Sequence, residues 1–327
     1  MKAIELTPEQ PVDEVTEHAV QAEAAGFDTV FAASHYFNRD PFVTLSRIAA
    51  ATETVGVGPA AANPYDTHPV ALASRMATLD EVSDGRATFG VGPGDRSTMA
   101  ALGAEQDRPL RRVLETFKVA QDLWAGESVD HDGTFTASGA ELEYDVEGPI
   151  PVYVGAQGPH MIRMSAKHAD GVLLNASHPD DFAWAAEQVE KGLAERPEER
   201  GAFDVAAYAS VSVAEAEADA REAARPAVAF IASGSAPPVL DRHGIDQEAA
   251  EAVGAAIERG DMHEAFGLVT ERMLDAFCIA GTPDQVEERM AAVYEYVDSF
   301  VVGSPLGPDL ETAIGLAGAA LDRSSRG

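Results

Sequence analysis

A carboxylate set inside an apolar stretch is the first residue that could do chemistry: Glu5 interrupts Ala3-Ile4-Glu5-Leu6. Such a group can hand over or take up a proton, and it can equally sit in an internal salt bridge; the sequence leaves both open. Next come segments rich in glycine and proline: Gly58-Pro59, Gly92-Pro93-Gly94-Asp95-Arg96, Gly155-Ala156-Gln157-Gly158-Pro159 and Gly303-Ser304-Pro305. Glycine lets a backbone approach a ligand closely and proline starts a helix, so the N–H groups of such turns suit an anion such as a phosphate. For any one segment, a tight turn without a ligand is an equal reading. Polar residues end other apolar segments, at Ser34-His35-Tyr36, Ala60-Ala61-Ala62-Asn63 and Asn175-Ala176-Ser177-His178-Pro179. Metal chemistry needs clustered ligands, whereas His35, His68 and His178 each stand alone and read as hydrogen-bonding or packing residues, so no metal is expected. The single cysteine, Cys278, lies in Ala276-Phe277-Cys278-Ile279 and reads as a small buried hydrophobe. No serine occupies a nucleophile elbow. What remains is an organic cofactor held by loops, with positioning as the main catalytic device.

The elements that must position these residues alternate. Strands are expected at Lys2–Leu6, Asp28–Ala33, Thr54–Ala60, Arg86–Val91, Val152–Gly155, Gly171–Asn175, Val205–Ser212 and Asp298–Gly303, several of them continuous aliphatic runs suited to a buried parallel sheet. Helices are expected at Val12–Ala25, Pro41–Thr52, His68–Val82, Pro109–Ala125, Pro159–His168, Asp180–Glu195, Glu215–Ala232, Pro283–Val297 and Leu310–Leu321. Eight strand–helix units predict an α/β fold, the (β/α)8 TIM barrel, whose reactive groups gather at the C-terminal strand ends. A dinucleotide fold would want G-x-G-x-x-G at the first turn, and none is there. Two stretches exceed a minimal barrel: a hairpin insertion at about 126–150, with Val129–Ala137 turning around Asp132-Gly133, and a helical insertion at 233–275. Residues 1–327 are read as one barrel domain carrying both insertions.

Charge narrows the partners. Lys+Arg number 23 and Asp+Glu 55, for a net charge of −32, and only four of the 23 basic residues are lysine (Lys2, Lys118, Lys167, Lys191). A phosphate backbone or an anionic membrane surface is held by basic residues, so neither nucleic acid nor membrane is expected as a partner. No apolar run reaches the ~20 residues of a membrane span, and the N-terminus lacks a signal-peptide core, which predicts a cytoplasmic protein. Many carboxylates with few lysines suit a halophilic setting, because at ~1 M salt the screening length falls to ~3 Å and surface repulsion is tolerable. An ordinary acidic surface is the alternative.

Several segments together carry a resemblance: HYFNRD at 35–40, GPAAANPYDTHP at 58–69, SDGRATFGVGPGDR at 83–96 and PVYVGAQGP at 151–159, then ADGVLLNASHP at 169–179, VLDRHGI at 239–245, AFCIAGTPD at 276–284 and VVGSPLGPD at 301–309. From about Glu5 to Asp309 the chain resembles the coenzyme F420-dependent 5,10-methylenetetrahydromethanopterin reductases of the luciferase-like barrel superfamily. The resemblance implies that the deazaflavin F420, with no metal, passes a hydride to a methylene-tetrahydropterin, of methanopterin or folate type, giving the 5-methyl form. It implies Glu5 as the acid at the pterin. It implies a bulge with a non-proline cis peptide at Ala60-Ala61, continued by Ala62 and Asn63, behind the deazaflavin ring. Ser34 and Asp95 would help place that ring, while Gly155, Ala156, Gln157, Gly158, Asn175, Ala176 and Ser177 would hold the phosphate and tail. Phe230 would line the pterin pocket, or else lie in the core. Relatives carry Asp where Ser34 stands, and Gly, an aliphatic residue and Thr where Ala60-Ala61-Ala62 stands; restoring the threonine at position 62 is expected to tighten cofactor binding. Family members from salt-rich cytoplasms use folate-type pterins, and a homodimer or homotetramer is implied. Other readings are a different F420- or FMN-dependent luciferase-like oxidoreductase, or a non-catalytic deazaflavin-binding protein.

Overall fold

Short β-branched and aliphatic runs become strands wherever both of their faces are covered, and in the computed structural model these are β1 (Lys2–Leu6), β2 (Thr29–Ala32), β3 (Gly56–Pro59), β4 (Phe89–Val91), β5 (Val129–Asp132), β6 (Thr136–Ala140), β7 (Val152–Ala156), β8 (Gly171–Asn175), β9 (Asp204–Val213), β10 (Ile279–Gly281) and β11 (Ser299–Leu306). The structure describes every residue except Tyr36, Arg326 and Gly327, and only the backbone of Arg96 and Ser97. All eight expected strands are present, and the nine expected helices end within three residues of their predicted bounds. Hydrogen-bonded neighbours follow the order β3-β2-β1-β11-β9-β8-β7-β4 in one sheet, with β10 added against β9. Isolated parallel bridges, Val57↔Ala87 and Ala62↔Val91, join the two ends of that path. The chain is therefore the nearly closed parallel (β/α)8 barrel expected from its alternating pattern.

The chain divides into two compact units: Ala3–Leu174 with Ala185–Ala206, and Asn175–Trp184 with the chain from Ala207 onward. In the first unit β1 pairs with β2 in parallel, with Glu5 opposite Phe31, and β2 pairs with β3, with Phe31 opposite Gly58. Close approach on the β3–β4 side depends on two glycines. A Cβ on Gly58 would lie 2.2 Å from the Thr88 carbonyl oxygen, and one on Gly90 would lie 2.0 Å from that of Pro59. Ile4, Phe31, Val57, Phe89, Leu72 and Met76 are fully buried here. The predicted hairpin is β5–β6, with His131 opposite Ala137 and Asp132 opposite Thr136.

In the second unit the expected helical insertion becomes four helices: Pro237–Arg242, Gln247–Glu258, Met262–Gly267 and Glu271–Phe277. Val228, Val253, Met273, Leu274 and Cys278 form their shared core. This insertion runs directly into β10, a strand that sequence reasoning missed because Ala276–Ile279 reads as one apolar run with no turn residue.

Several arginines, Arg86, Arg196 and Arg289 among them, close loops by holding backbone carbonyls rather than carboxylates. Arg86 donates to the carbonyl oxygens of Ser83 (2.6 Å), Val55 (2.6 Å) and Ala49 (2.8 Å). Arg196 donates to those of Ala166 (2.9 Å), Ala169 (2.7 Å) and Gly201 (3.1 Å). Arg289 donates to those of Cys278 (2.8 Å) and Asp275 (2.6 Å).

Candidate active site

Position 5 lies in β1, and the parallel pairing with β2 turns the Glu5 side chain into a covered space: the residue is 2% exposed. The Thr7 hydroxyl donates to Glu5 Oε1 at 2.8 Å. A carboxyl group so enclosed can deliver a proton only to something brought to it, which suits an acid reserved for a bound substrate.

At the end of β2, Ser34 is half-buried and His35 takes part in a relay. His35 Nε2 lies 2.7 Å from Thr98 Oγ1, and that hydroxyl lies 3.1 Å from Asp95 Oδ1. A hydroxyl has one hydrogen, so with Thr98 donating to the carboxylate, His35 must donate from Nε2. The Phe37 N–H pointing at His35 Nδ1 (3.4 Å) agrees with that tautomer. Asp95 also accepts from the Thr98 backbone N–H at 2.9 Å, capping helix Arg96–Ala101. The Asp95 carboxylate, expected to place the ring, is thus engaged in fixing its own loop. Gln106 completes that loop, donating from Nε2 to the carbonyls of Pro93 (2.7 Å) and Gly94 (2.8 Å). Tyr36, named beside Ser34 and His35 in the sequence, and the side chain of Arg96 lie outside the described residues.

After β3 the backbone changes neighbours. The Ala60 N–H donates to Ala32 O (2.8 Å), whereas the Ala62 N–H donates to Gly90 O (2.9 Å). The Ala60–Ala61 peptide between them is cis. Ala62 is 1% exposed, so its methyl faces packed protein, while Ala60 and Ala61 are half-buried. Asn63 is buried as well, and its amide is spent locally: Oδ1 accepts from the N–H groups of Tyr65 and Asp66 (both 3.1 Å), and Nδ2 donates to Asp66 Oδ2 (2.9 Å). Gly94, at φ +77°, packs where a Cβ would meet Asn63 at 3.3 Å.

Beside Ala61 lie the backbones of Gly92, which is buried, and Gly155, which is half-buried. A Cβ on Gly92 would lie 3.4 Å from the Ala61 methyl, and one on Gly155 would lie 3.7 Å from it. Bare backbone of this kind fits the flat tricyclic ring of a deazaflavin, which stacks on a surface but finds no room among side chains. Ala156 is buried, while Gln157 and Gly158 are exposed at the start of helix Pro159–His168. No side chain caps that helix, so its first N–H groups can receive an anionic group such as a phosphate.

In the second unit, Asn175 is exposed at the end of β8, and the Ala176 N–H donates to Tyr208 O at 3.3 Å. Ser177 is buried, and its hydroxyl oxygen accepts from the Ser210 N–H at 3.1 Å; it fastens this loop to β9. His178 accepts from the Asp180 N–H at Nδ1 (3.2 Å) and meets His243 edge-on, with ring centres 4.9 Å apart. Burial, and then the neighbouring His243, hold the His178 imidazole below its ordinary range, so it stays neutral at pH 7. His243 Nε2 lies 2.9 Å from Asp181 Oδ2, and Arg242 pairs with the other oxygen of that carboxylate. Burial alone would raise the Asp181 carboxyl, but His243 and Arg242 outweigh it and keep it ionised. Phe230 is 52% exposed on helix Glu217–Gly234 and is not a core residue, leaving the substrate-lining role as the open one.

Sequence reasoning named Glu5, the Ala60–Ala62 turn and the bare glycines. It missed Thr7, Thr98, Gln106 and the union of His178 with Asp181 and His243. An Asp-x-x-Thr capping signal at 95–98 was available for one of these; Thr7 is only two residues from Glu5 but carries no pattern that marks it, and Gln106 and the His178–His243 meeting join residues further apart in the chain. Among the described residues no group of three or more His, Cys, Asp or Glu is placed to hold a metal ion, and no helix is long and apolar enough to cross a membrane.

Comparison with known proteins agrees over nearly the full length. Residues 2–299 match the family described as luciferase-like monooxygenase. The chain is 42% identical to the 5,10-methylenetetrahydromethanopterin reductase of Archaeoglobus fulgidus, covering 96% of each chain. It is 40% identical to the reductase of the same name from Methanolobus tindarius, covering 96% of this chain and 97% of that one. Among solved structures, the coenzyme F420-dependent tetrahydromethanopterin reductase from Methanopyrus kandleri superposes with a TM-score of 0.90 at 38% identity, covering 97% and 96% of the two chains. A family model matching nearly the whole chain, with relatives about 40% identical over almost their full length, places the chain in the luciferase-like family and, within it, among the 5,10-methylenetetrahydromethanopterin reductases.

Proposed function

We infer that this protein reduces a 5,10-methylene-tetrahydropterin to its 5-methyl form with reduced coenzyme F420. Identity of about 40% to named reductases across essentially the whole chain carries the reading. When bound, the deazaflavin supplies the hydride. The chain's own part is to seat it, keep water away and manage one proton. Ala60, Ala61, Gly92 and Gly155 offer the ring its floor, with Ser34, Asn63 and the Asp95 loop framing it. The N–H groups at Gly155–Gly158 and at Asn175–Ser177 receive its phosphate and tail. Glu5 gives a proton to the pterin nitrogen released as the methylene bridge opens, and Phe230 packs on the pterin.

The finer reading follows the composition. With a net charge of −32 and four lysines, the chain suits a cytoplasm loaded with salt, where folate-type pterins become the acceptor. Residues 1–327 act as one barrel domain with insertions at about 126–150 and 233–275, and chains associate as a homodimer or homotetramer. The test is oxidation of reduced F420 in molar potassium chloride, followed by the return of the oxidised cofactor's absorbance. Methylene-tetrahydrofolate and methylene-tetrahydromethanopterin are supplied in separate runs. Turnover with one or both is expected and names the acceptor. Cofactor binding without turnover on either would replace this reading with a different oxidoreductase or a binder.

A further inference from the structure

The hairpin β5–β6 takes no part in the reaction above, yet one helix ties it to the loop that leaves the Ala60–Ala62 turn. Arg112, on helix Pro109–Trp124, donates to the Pro64 carbonyl oxygen from Nε (2.9 Å) and from Nη2 (2.6 Å). Its Nη1 donates to the Thr134 carbonyl at the hairpin tip. The same guanidinium lies 4.9 Å from the Tyr65 ring centre and 5.9 Å from that of Phe135. Nearly one turn further along the helix, Glu115 accepts from the Thr134 N–H and hydroxyl, both at 2.7 Å, and lies 3.1 Å from His131 Nε2. Phe135 stacks on His131, with centres 4.3 Å apart, and meets His68 edge-on at 5.5 Å. His68 Nε2 in turn lies 3.1 Å from the Thr136 carbonyl oxygen.

Three anchors hold the loop after the turn, one of them the Tyr65 hydroxyl, which donates to the Asp107 carbonyl oxygen at 2.7 Å. Asn63 closes it on itself, which shapes the loop but does not fix it in space. The Arg112 fork, braced by the hairpin, sets where Pro64 lies, three residues from Ala61. We propose that Arg112 is a positioning residue: with the hairpin as its abutment, it holds Ala60–Asn63 at the height the cofactor ring requires, and so sets cofactor affinity. This rests on the reading of Ala60–Ala62 as the ring's backing.

The experiment titrates wild type, Arg112→Ala, Arg112→Lys and Arg86→Lys with oxidised F420, following cofactor fluorescence and the absorbance maximum of the bound form, with melting midpoints beside them. Arg86 also clasps backbone carbonyls in the same unit, away from this loop, and controls for loss of stability alone. Arg112→Ala is expected to weaken F420 binding at least tenfold and to shift the bound absorbance maximum. Arg112→Lys, whose donors all sit on one nitrogen and cannot span the Pro64 and Thr134 carbonyls as the planar fork does, is expected to fall between. Arg86→Lys is expected to melt earlier with unchanged affinity. Arg112 variants that melt early yet bind F420 within twofold of wild type, with the same maximum, overturn the proposal. Should Arg112→Ala not fold, Arg112→Lys decides alone: a twofold or greater loss supports the proposal, and a smaller one overturns it. A wild type that does not bind F420 would instead remove the functional reading beneath it.

Discussion

Replacing Gly155 by alanine separates the cofactor's needs from the fold's. The added methyl would lie 3.7 Å from the Ala61 methyl and 3.9 Å from the Val91 carbonyl oxygen, ordinary contact distances on both sides. Gly155 does not adopt a positive φ, so a side chain brings no backbone strain, and a strand gains slightly from losing a glycine. Stability should therefore stay within about 1 kcal/mol of wild type. The ring seat, by contrast, loses part of its bare surface. Overfilling a packed space by one methyl costs about 1–3 kcal/mol, and ~1.4 kcal/mol is tenfold in affinity, so F420 should bind about 5- to 150-fold more weakly. Fluorescence titration with F420 and a thermal melt read the two effects separately. The opposite pattern is expected of Gly90→Ala, whose methyl would meet the Pro59 carbonyl oxygen at 2.0 Å. Backbone meets backbone there, and the cost of several kcal/mol consumes much of the ~5–15 kcal/mol that a domain has. A Gly155→Ala protein that melts normally and binds F420 within twofold of wild type would refute the placement of the ring on this surface.

Glu5→Gln keeps the shape of the buried side chain but not its acid, and turnover should fall about 10²- to 10⁴-fold with F420 affinity unchanged; full turnover would remove Glu5 as proton donor. Ala62→Thr, which sequence reasoning expects to tighten cofactor binding, should instead lower the melting midpoint, because the site is 1% exposed and overpacking costs about 1–3 kcal/mol. Burial raises the Glu115 carboxyl, but hydrogen bonds from Thr134, Arg111 and His131 outweigh it and bring it down to about 2. Its folded value lies below the unfolded one, so its stabilisation is present above pH ~4.5 and drains away as pH falls towards 2. Acid melts of Glu115→Gln should therefore converge on wild type over that window, and a constant gap would contradict it. The Cys278 thiol is fully buried and pushed up to about 12 by that burial, despite Arg289 and Arg221 nearby, so a thiol reagent should label the native chain only after unfolding.

The barrel was legible because its strands are aliphatic runs of the right length and its helices start at prolines, signals contained in a few neighbouring residues. β10 was not, since Phe277-Cys278-Ile279 carries no turn marker and becomes a strand only because β9 offers it an edge. Within the site, residue type singled out Glu5, which the fold buries, and glycines such as Gly92 and Gly155, whose missing side chains leave backbone beside the Ala61 methyl. Direction was not legible. Ser177 and Asn63 bear groups that could face a ligand, yet the Ser210 amide and the Asp66 loop claim them, and only the folded chain decides which partner is nearer. The meeting of His178 with His243, 65 positions apart, has no local signal at all.

The arginines that clasp carbonyls give the lopsided basic composition a physical meaning. A guanidinium serving two or three peptide oxygens makes hydrogen bonds to neutral dipoles at contact range, and dissolved ions weaken such bonds far less than they weaken attraction between opposite charges. Loops closed by Arg86, Arg196 and Arg289 are thus joined by the kind of fastening that brine leaves intact. A lysine ammonium carries its three donors on one nitrogen and cannot span carbonyls that a guanidinium reaches from three separate nitrogens. Wholesale exchange of arginine for lysine, harmless at many surface ion pairs, would here cut the chain's internal ties while leaving its net charge at −32.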